Sequence, residues 1–286
     1  MSSKVALVTG ASSGIGMATA VALHDLGHTV YAVARRVDRM SDLEAQGIHT
    51  LAMDVTDDES MTSGMKQIIA ATGRIDILVN NAGYGSYGAL EDVPMDEARR
   101  QFDVNVFGLA RLTQLALPHM RAQRGGHIVN ISSIGGKVHE PLGGWYHATK
   151  FAVEGLSDSL RVELQPFGIH VVVIEPGAIK TEWAGIAANH LMATSGEGPY
   201  AGQAKAWAAG VDAVETRGSS PDVIAKAIVR AVTARRPRTR YVVGAFAKPS
   251  IFLRSILTDR GFDRFIRLTL RFAGRNLPTA QHELVP

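Results

Sequence analysis

The chain has 286 residues and a formal net charge of +3, with 46% hydrophobic and 20% charged residues. This composition is ordinary for a globular protein, and the length allows one large domain with a substantial core. The absence of cysteine excludes disulfides, cysteine nucleophiles and cysteine metal sites, and no metal site is predicted. No apolar run is long enough for a membrane span, and the first predicted strand leaves no room for a signal peptide, so a cytoplasmic location is expected by default.

Short β-rich runs alternate with helical patterns along the chain. Alternation of this kind predicts βαβ units, with right-handed crossovers and helices on both faces of a parallel sheet. The expected fold class is therefore α/β, with a doubly wound sheet of seven strands. The strands are predicted near 4–9, 28–34, 48–53, 76–80, 126–132, 169–175 and 240–243, and the helices near 14–26, 57–71, 95–123, 145–165 and 220–234.

A glycine-rich segment joins the first strand to the first helix. It comprises Thr9-Gly10-Ala11-Ser12-Ser13-Gly14-Ile15-Gly16. Such a turn lets backbone N–H groups approach a phosphate, and the helix N-terminus favours negative charge there. The segment therefore predicts a pyrophosphate-bearing cofactor. Its G-x-x-x-G-x-G spacing departs from the usual G-x-G-x-x-G fingerprint, so an ordinary glycine turn stays open as the alternative.

The end of the second strand indicates which cofactor binds. Sites for NAD place an Asp or Glu there to bind the ribose hydroxyls. Here the strand is followed by Arg35 and Arg36, and the first carboxylate is Asp38. Two guanidinium groups suit a 2′-phosphate, which favours NADP. The alternative is a pair of solvated loop arginines.

Tyr146 and Lys150 are four residues apart in a helical pattern, so their side chains share one face. A lysine ammonium beside a phenol favours the phenolate, and we expect it to lower the pKa of Tyr146. Such a tyrosine can exchange a proton with a carbonyl or alcohol oxygen. Ser133, at the polar end of the fifth strand, can hold that oxygen. The alternative for the Tyr–Lys pair is a solvated helix face.

Together these motifs resemble the short-chain dehydrogenase/reductase family, in its single-domain Rossmann form. The resemblance covers about residues 4–244 and rests on Thr9 to Gly16, Asp54-Val55, Asn80-Asn81-Ala82-Gly83, Asn105, Ser133, Tyr146 with Lys150, and Pro176-Gly177 with Thr181. It implies an NADP(H)-dependent enzyme that interconverts a carbonyl and a primary or secondary alcohol. The basic residue that some members carry just before Gly14 is Ser13 here, so NAD stays an alternative cofactor.

The resemblance also implies roles for residues around the cofactor. Asp54-Val55 would contact the adenine, although Asp54 as the cap of the helix near Asp57 stays open. Asn81-Ala82-Gly83 would steady the central sheet and line the adenine ribose. Thr181 would bind the nicotinamide carboxamide, with a helix N-cap as the alternative. The predicted cofactor-binding residues are Gly10, Ser12, Ser13, Gly14, Ile15, Gly16, Arg35, Arg36, Asp54, Val55, Asn81, Ala82, Gly83, Tyr146, Lys150, Pro176, Gly177, Ile179 and Thr181.

The predicted catalytic residues are Asn105, Ser133, Tyr146 and Lys150. By resemblance, Lys150 would also hold the nicotinamide ribose, and Asn105 would anchor a water that links Lys150 to solvent. A helix-kink or core amide is the alternative for Asn105. The substrate is expected to be hydrophobic, because Tyr84, His139, Trp145 and Trp183 are predicted to line its pocket together with Ser133.

Two stretches interrupt the alternating pattern. Residues 178–218, with Trp183, Tyr200 and Trp207, predict a mobile substrate lid or else a plain connection with two short helices. The segment from Arg235 to Pro286 has 11 basic and 3 acidic residues, a net charge of +8.

A helix is predicted in this basic segment, at Phe262–Ala273. Its arginines lie on one face and its apolar residues on another, which favours packing against the fold; attachment to a membrane surface or a partner is the open alternative. The two faces are formed by Arg264, Arg267 and Arg271, and by Phe262, Phe265, Ile266 and Leu270. We expect a catalytic domain at 1–247 that includes the lid, and a basic helical extension at 248–286 packed on it.

Further expectations concern partners and an alternative function. The resemblance implies a homodimer or homotetramer that pairs the helices near 95–123 and 145–165. The interface candidates are Leu109, Leu112, Leu156 and Leu160, with the intramolecular core as the alternative for each. A nucleic-acid partner is not expected, because no such motif accompanies the basic tail. A redox sensor that binds NADPH without turnover is the competing function.

Overall fold

In the computed structural model, which describes residues 3–211 and 216–274, seven parallel strands form one sheet in the order β3-β2-β1-β4-β5-β6-β7. The predicted α/β class is confirmed, and each predicted strand end agrees with the structure to within one residue. The strands are β1 (Val5–Thr9), β2 (Thr29–Ala34), β3 (His49–Ala52), β4 (Ile77–Asn80), β5 (Gly126–Ile131), β6 (Ile169–Pro176) and β7 (Arg240–Val243).

The helices cover both faces of this sheet and extend beyond its last strand. They are α1 (Gly14–His24), α2 (Ser41–Ala45), α3 (Asp58–Thr72), α4 (Met95–Phe102), α5 (Leu109–Ala122), α6 (Gly144–Leu164), α7 (Glu182–Ser195), α8 (Ala201–Ala208), α9 (Asp222–Thr233), α10 (Ala247–Ile256) and α11 (Asp259–Gly274). The single helix predicted at 95–123 is divided by a π-helical segment, Asp103–Gly108.

Alternation along the central strands builds a core on each face of the sheet. In β1, Val8 packs in the layer that contains Leu23 of α1, whereas Leu7 packs in the opposite layer with Leu112 of α5. Both faces are therefore apolar, as expected for a parallel sheet covered by helices.

Two of the proposed interface residues belong to the interior of the chain. Leu112 is fully buried in the second core layer, and Leu109 is buried against Val106 and Val153. Their prediction as subunit contacts is wrong. An apolar stripe with helical periodicity can face either a partner subunit or the sheet of its own chain, and here it faces the interior. Leu156 and Leu160 are partly buried against the same clusters.

The strand order creates a crevice at the carboxyl edge of the sheet. β1 pairs with β2 on one side and with β4 on the other, so the connections after β1 and β4 leave in opposite directions. In open α/β sheets such a switch point is where ligands bind. The glycine turn follows β1 directly, at this point.

The segment after β7 folds back over the same edge of the sheet. α11 packs against α8, with Phe262 buried and Arg264 and Arg267 exposed, as the amphipathic pattern predicts. Residues 212–215 of the predicted lid and 275–286 of the predicted extension lie outside the described residues. Across the described ranges, no helix is both long and apolar enough to span a membrane.

Candidate active site

The turn between β1 and α1 needs glycine for two reasons. Gly10 and Gly14 adopt φ angles of +64° and +52°, a region that L side chains rarely occupy. A Cβ atom on Gly10 would also lie only 2.9 Å from the Cα atom of Ala82. The turn is therefore pressed against the end of β4 and presents backbone to the crevice.

Gly16 has a different role from the one predicted. It does not line the crevice, and a Cβ atom there would lie 2.3 Å from the carbonyl oxygen of Gly10 and 2.6 Å from the Asn81 amide nitrogen. Gly16 therefore permits close packing of α1 on the turn. Its assignment as a cofactor contact was wrong, because sequence spacing alone does not separate packing glycines from ligand-facing ones.

A cavity of about 1060 Å³ occupies the crevice and extends past α6 to α11. We call its first part the turn half, lined by Gly10, Ser12–Ile15, Arg35, Asp54 and Asn81. We call its second part the helix half, lined by Tyr87, Trp183, Trp207, Phe262 and Ile266. Apart from Gly16, all the predicted cofactor-binding residues line this cavity. Tyr146 and Lys150 lie where the two halves meet.

Hydrogen bonds lock the turn half to the sheet. The Asn81 side-chain amide donates to the carbonyl oxygens of Thr9 and Gly10, at 2.9 and 3.2 Å. The Thr9 hydroxyl accepts from the backbone N–H groups of Asn81 and Ala82, at 3.0 and 2.9 Å. Asn81 therefore has the structural role that the sequence analysis considered, and it also lines the cavity.

Two capping alternatives are resolved by the structure. Asp57, not Asp54, caps α3, and it accepts a hydrogen bond from the N–H of Glu59. Asp54 instead accepts from the backbone N–H and hydroxyl of Thr56 and lines the cavity. Thr181 caps α7 by accepting from the N–H of Trp183, and its methyl group lies against Gly14. Thr181 therefore both caps α7 and lines the cavity.

Arg35 and Arg36 are exposed at the outer end of the turn half. Neither forms an ion pair with any carboxylate of the described residues, whereas Arg39 nearby pairs with Glu182 at 3.3 Å. Both guanidinium groups are thus free to bind an anion. Backbone close to the turn, two cations at its outer end and polar groups along the strand ends together fit a dinucleotide with a ribose phosphate.

Ser133 and Tyr146 meet at the junction of the two halves. Ser133 follows β5 in extended backbone, and its hydroxyl accepts from the N–H of Gly135 at 3.0 Å. The Tyr146 side chain comes from the first turn of α6 and lies close enough to the Ser133 hydroxyl for that group to act on its pKa. Burial raises the pKa of Tyr146 to about 12, while Ser133 acts in the opposite direction.

The expected lowering of the Tyr146 pKa by Lys150 is not found. The Lys150 ammonium lies 5.8 Å from the centre of the Tyr146 ring and donates to the carbonyl oxygen of Ile131 at 2.9 Å. Desolvation of the buried phenol outweighs any attraction across that distance. Burial likewise lowers the pKa of Lys150 to about 8, and Glu154 opposes that shift.

Asn105 lies in the π-helical segment and is buried outside the cavity. Its side-chain oxygen accepts from the N–H of Tyr84, and its amide donates to the Tyr84 carbonyl oxygen and to the Thr149 hydroxyl, at 2.9 to 3.1 Å. Asn105 is thus a core amide at a helix irregularity, and its catalytic assignment stays a prediction. The Asn105 oxygen and the Lys150 ammonium both lie close to Gly83.

Three of the predicted pocket residues, Tyr84, His139 and Trp183, line the cavity together with Ser133. Trp145 does not, since its side chain packs against Phe102 with ring centres 6.3 Å apart. Adjacent helical residues point in different directions, so Trp145 is turned away where Tyr146 points inward.

Several residues of the helix half are not recognisable from the sequence. Tyr87 follows β4 in an irregular segment, and its ring lies 4.6 Å from that of Trp207 and 5.6 Å from that of Tyr146. Glu140 also lines the cavity and accepts from the Tyr87 hydroxyl at 2.9 Å. The apolar face of α11 was recognised in the sequence, but nothing there indicated that it would reach this cavity.

Comparison with known proteins agrees with this geometry. A family model described as short chain dehydrogenase matches residues 4–190. An uncharacterized oxidoreductase of Bacillus subtilis is 35% identical over 280 residues, covering 94% of this chain and 99% of that protein. An NADPH-dependent 3-dehydrocapnine reductase of Ornithobacterium rhinotracheale is 36% identical over 285 residues, covering 94% and 98%. The crystal structure of a short-chain dehydrogenase from Streptomyces avermitilis is 33% identical with a TM-score of 0.75, covering 96% and 100%.

Proposed function

We propose that this chain, which belongs to the short-chain dehydrogenase/reductase family of oxidoreductases, interconverts a carbonyl and an alcohol on a hydrophobic substrate with NADP(H). The observation that carries the proposal is the convergence of Ser133, Tyr146 and Lys150 on one cavity that also contains the glycine turn. The aromatic walls around Tyr146 support a hydrophobic substrate.

The proposed mechanism assigns one task to each side chain at the junction. When bound, the nicotinamide cofactor supplies the hydride in reduction and accepts it in oxidation. Ser133 donates a hydrogen bond to the substrate oxygen and stabilises the charge that develops on it. Tyr146 gives its proton to that oxygen in reduction and takes it back in oxidation. Because its pKa is about 12, Tyr146 is protonated at neutral pH, which favours its use as a proton donor.

Lys150 and Asn105 support this pair in the proposed mechanism. Lys150 holds the cofactor ribose, and its charge favours the tyrosinate that reduction leaves behind. Asn105 acts as a positioning residue, because it fixes the backbone of Tyr84 and the hydroxyl of Thr149, next to Lys150.

The proposed cofactor preference rests on the unpaired guanidinium groups of Arg35 and Arg36 at the end of β2. They are placed to bind the 2′-phosphate that distinguishes NADP from NAD. The name of the Ornithobacterium relative, an NADPH-dependent reductase, supports the same choice.

Tyr146→Phe tests the proposal, because it keeps the ring and removes only the hydroxyl. We expect turnover of any accepted ketone to fall by about 10²–10⁴-fold, with NADPH binding retained. The measurement is NADPH absorbance with a panel of ketones and aldehydes, accompanied by a cofactor titration. Tyr200→Phe, a tyrosine outside the cavity, is the matched control. Near-normal turnover by Tyr146→Phe would reject the assignment, and a wild type that binds NADPH without any turnover would favour a redox sensor.

We also propose that the protein is at least a homodimer through the outer faces of α4 to α6. The family resemblance suggests this interface, and Phe107 and Phe151 on these elements are 59% and 49% exposed. We expect Phe151→Arg to shift the species seen by light scattering toward the 30.6 kDa of one chain. A wild type of that mass at micromolar concentration would reject the dimer.

A further inference from the structure

The helix half of the cavity is a chamber with apolar walls that begins at Tyr146. The rings of Tyr87 and Trp183 border Tyr146, with centres 5.6 and 5.1 Å from its own, and Trp207 of α8 continues the wall. On the far side, α11 contributes Phe262, Ile266 and Leu270. Since α7, α8 and α11 lie beyond the junction with the turn half, an extended apolar chain fits this space.

The carboxylate of Glu140 lies beside the aromatic wall of this chamber. Glu140 lines the cavity, and its side-chain oxygen accepts from the hydroxyl of buried Tyr87 at 2.9 Å. Its backbone N–H donates to Nε2 of His147 at 3.1 Å, which fixes the loop that carries it. The charge of Glu140 is close enough to act on Tyr146, whose pKa it helps to raise.

This negative charge has no cationic partner among the described residues. The ring of His147 is engaged elsewhere, because its Nδ1 lies 3.0 Å from the carbonyl oxygen of Gly135 and its Nε2 accepts from the backbone N–H of Glu140. His139 instead faces Asp263, at 3.1 Å. Within residues 3–211 and 216–274, no lysine or arginine lies within ion-pair distance of Glu140.

Glu97 provides a contrast within the same cavity. It also accepts from a tyrosine hydroxyl, that of Tyr84, at 2.9 Å. Glu97 forms no ion pair within the described residues either, but Arg100 and Arg35 are near enough to act on the pKa of Tyr84 in the direction opposite to Glu97, so cationic side chains lie in its neighbourhood.

No cationic side chain of the described residues acts in the same way on Tyr87 or Tyr146, the tyrosines near Glu140. A carboxylate without a neighbouring cation opposes the negative charge that reduction develops on the substrate oxygen. A cation carried by the substrate would remove this cost.

Resting on the proposed function, we propose that the substrate is an amphipathic amino ketone. Its ammonium group pairs with Glu140, its carbonyl oxygen meets Ser133 and Tyr146, and its apolar chain occupies the helix half. Because Glu140 binds the hydroxyl of Tyr87, whose ring borders that of Tyr146, the amine belongs at the carbonyl end of the apolar chain. The reaction itself is unchanged, because the ketone gains a hydride from NADPH and a proton through Tyr146 while the amine keeps its charge.

The test uses four ketones with NADPH. They are a long-chain 2-amino-3-ketone, the same ketone without the amine, and the short-chain version of each. The readouts are kcat/KM and, independently, ligand binding followed by quenching of the emission of Trp183 and Trp207. We expect the wild type to favour the amine about tenfold or more, and the long chain over the short one by about tenfold or more.

Two substitutions with matched controls assign these preferences to the structure. Glu140→Gln keeps an acceptor for Tyr87 and removes the charge, so the ratio between amino and plain ketone should fall toward one. Glu97→Gln, the other carboxylate that accepts from a tyrosine, should keep the ratio. Ile266→Trp should lower the ratio between long and short chains, whereas Leu268→Trp, on the same helix but 45% exposed and outside the cavity, should not.

The possible outcomes separate this inference from the function on which it rests. If no ketone of any panel is reduced, the proposed function fails, and the quenching titrations still decide whether the amine and the chain are recognised. If plain short ketones are reduced as well as the long amino ketone, the function stands and the substrate class is overturned. A preference for the amine that survives in Glu140→Gln would overturn the role of Glu140. Because the wild-type ratios need no substitution, a variant that misfolds leaves the test intact.

Discussion

In the turn half of the cavity the wall includes backbone of a tight glycine turn and residues at the ends of four strands, whereas in the helix half aromatic and apolar side chains form it. Gly10 and Gly14 approach their neighbours so closely that no larger residue fits without displacement. Tyr87, Trp183 and Trp207 instead form a wall of rings, on segments without a common element. A turn made of backbone accepts one shape of ligand, while a wall made of side chains can change its specificity by substitution.

The first prediction makes the same substitution in the helix behind each half, in α1 behind the turn half and in α7 behind the helix half. Gly16→Ala would place a Cβ atom 2.3 Å from the Gly10 carbonyl oxygen, so the turn must move, and we expect NADPH affinity to fall about 100-fold with a clear loss of stability. Gly185→Ala, in α7, meets no atom within 4 Å. Because alanine favours a helix interior, that variant should gain about 0.5–1 kcal/mol. Cofactor titration and thermal unfolding measure both effects, and equal losses in the two variants would contradict the contrast.

The second prediction concerns the outer end of the turn half. Each charge-assisted hydrogen bond contributes about 1.5–3 kcal/mol, so Arg35→Ala with Arg36→Ala should weaken NADPH binding about tenfold or more. NADH affinity should hardly change, since its ribose lacks the phosphate. Titration of both cofactors into wild type and double variant decides the matter. An NADH-preferring wild type, or equal losses for the two cofactors, would reject phosphate binding by these arginines.

The third prediction concerns two neighbouring buried carboxylates on α6 and β6, the elements that carry Tyr146 and Pro176. Glu175 on β6 and Glu154 on α6 are accompanied by Arg240 and by Lys137, whose ammonium lies 2.8 Å from Glu154. Burial, followed by the charge of Glu154, raises the pKa of Glu175 to about 7. The protonated acid is therefore favoured in the folded state.

The stabilising effect of this proton is present below the ordinary glutamate pKa and is lost as the pH rises through about 7. Glu175→Gln keeps a neutral side chain at every pH. Relative to wild type, its melting temperature should thus rise between pH 5 and pH 8, by roughly 2–4 °C if ~1 kcal/mol is involved. Melting curves at the two pH values measure the difference, and Glu182→Gln at an exposed position is the control. A difference that does not change with pH would contradict the proposed protonation.

The turn half could be predicted from the sequence because its parts are local. A strand, a glycine turn and a helix follow one another directly, and parallel strands bring their polar ends to one edge whatever lies between them. Arg35, Asp54 and Asn81 each follow a strand, so their convergence required only the strand order. Gly16 shows the limit of prediction from residue type, since a glycine can be required either for close packing or for contact with a ligand.

The helix half depended on contacts that no local pattern contains. The periodicity of α11 predicted an apolar face, but the sheet edge, α8 and the folded connection decided that this face closes the cavity. The pKa of Tyr146 likewise followed from burial, which outweighed the neighbouring Lys150. Trp145 and Leu112 point away from their predicted contacts. Successive residues of a helix point in directions about 100° apart, so a neighbour in the sequence can face a different environment.

By itself, the sequence determined the fold class, the strands, the turn that faces the cofactor site and the Ser133, Tyr146 and Lys150 constellation. Those features follow from periodicity and from residue types that need a particular backbone or chemistry. Only the tertiary structure decided what surrounds Tyr146: the rings of Tyr87 and Trp207, the closing face of α11 and the unbalanced charge of Glu140. Burial and electrostatic balance are sums over neighbours distant in the chain, and they become defined only when the chain has folded.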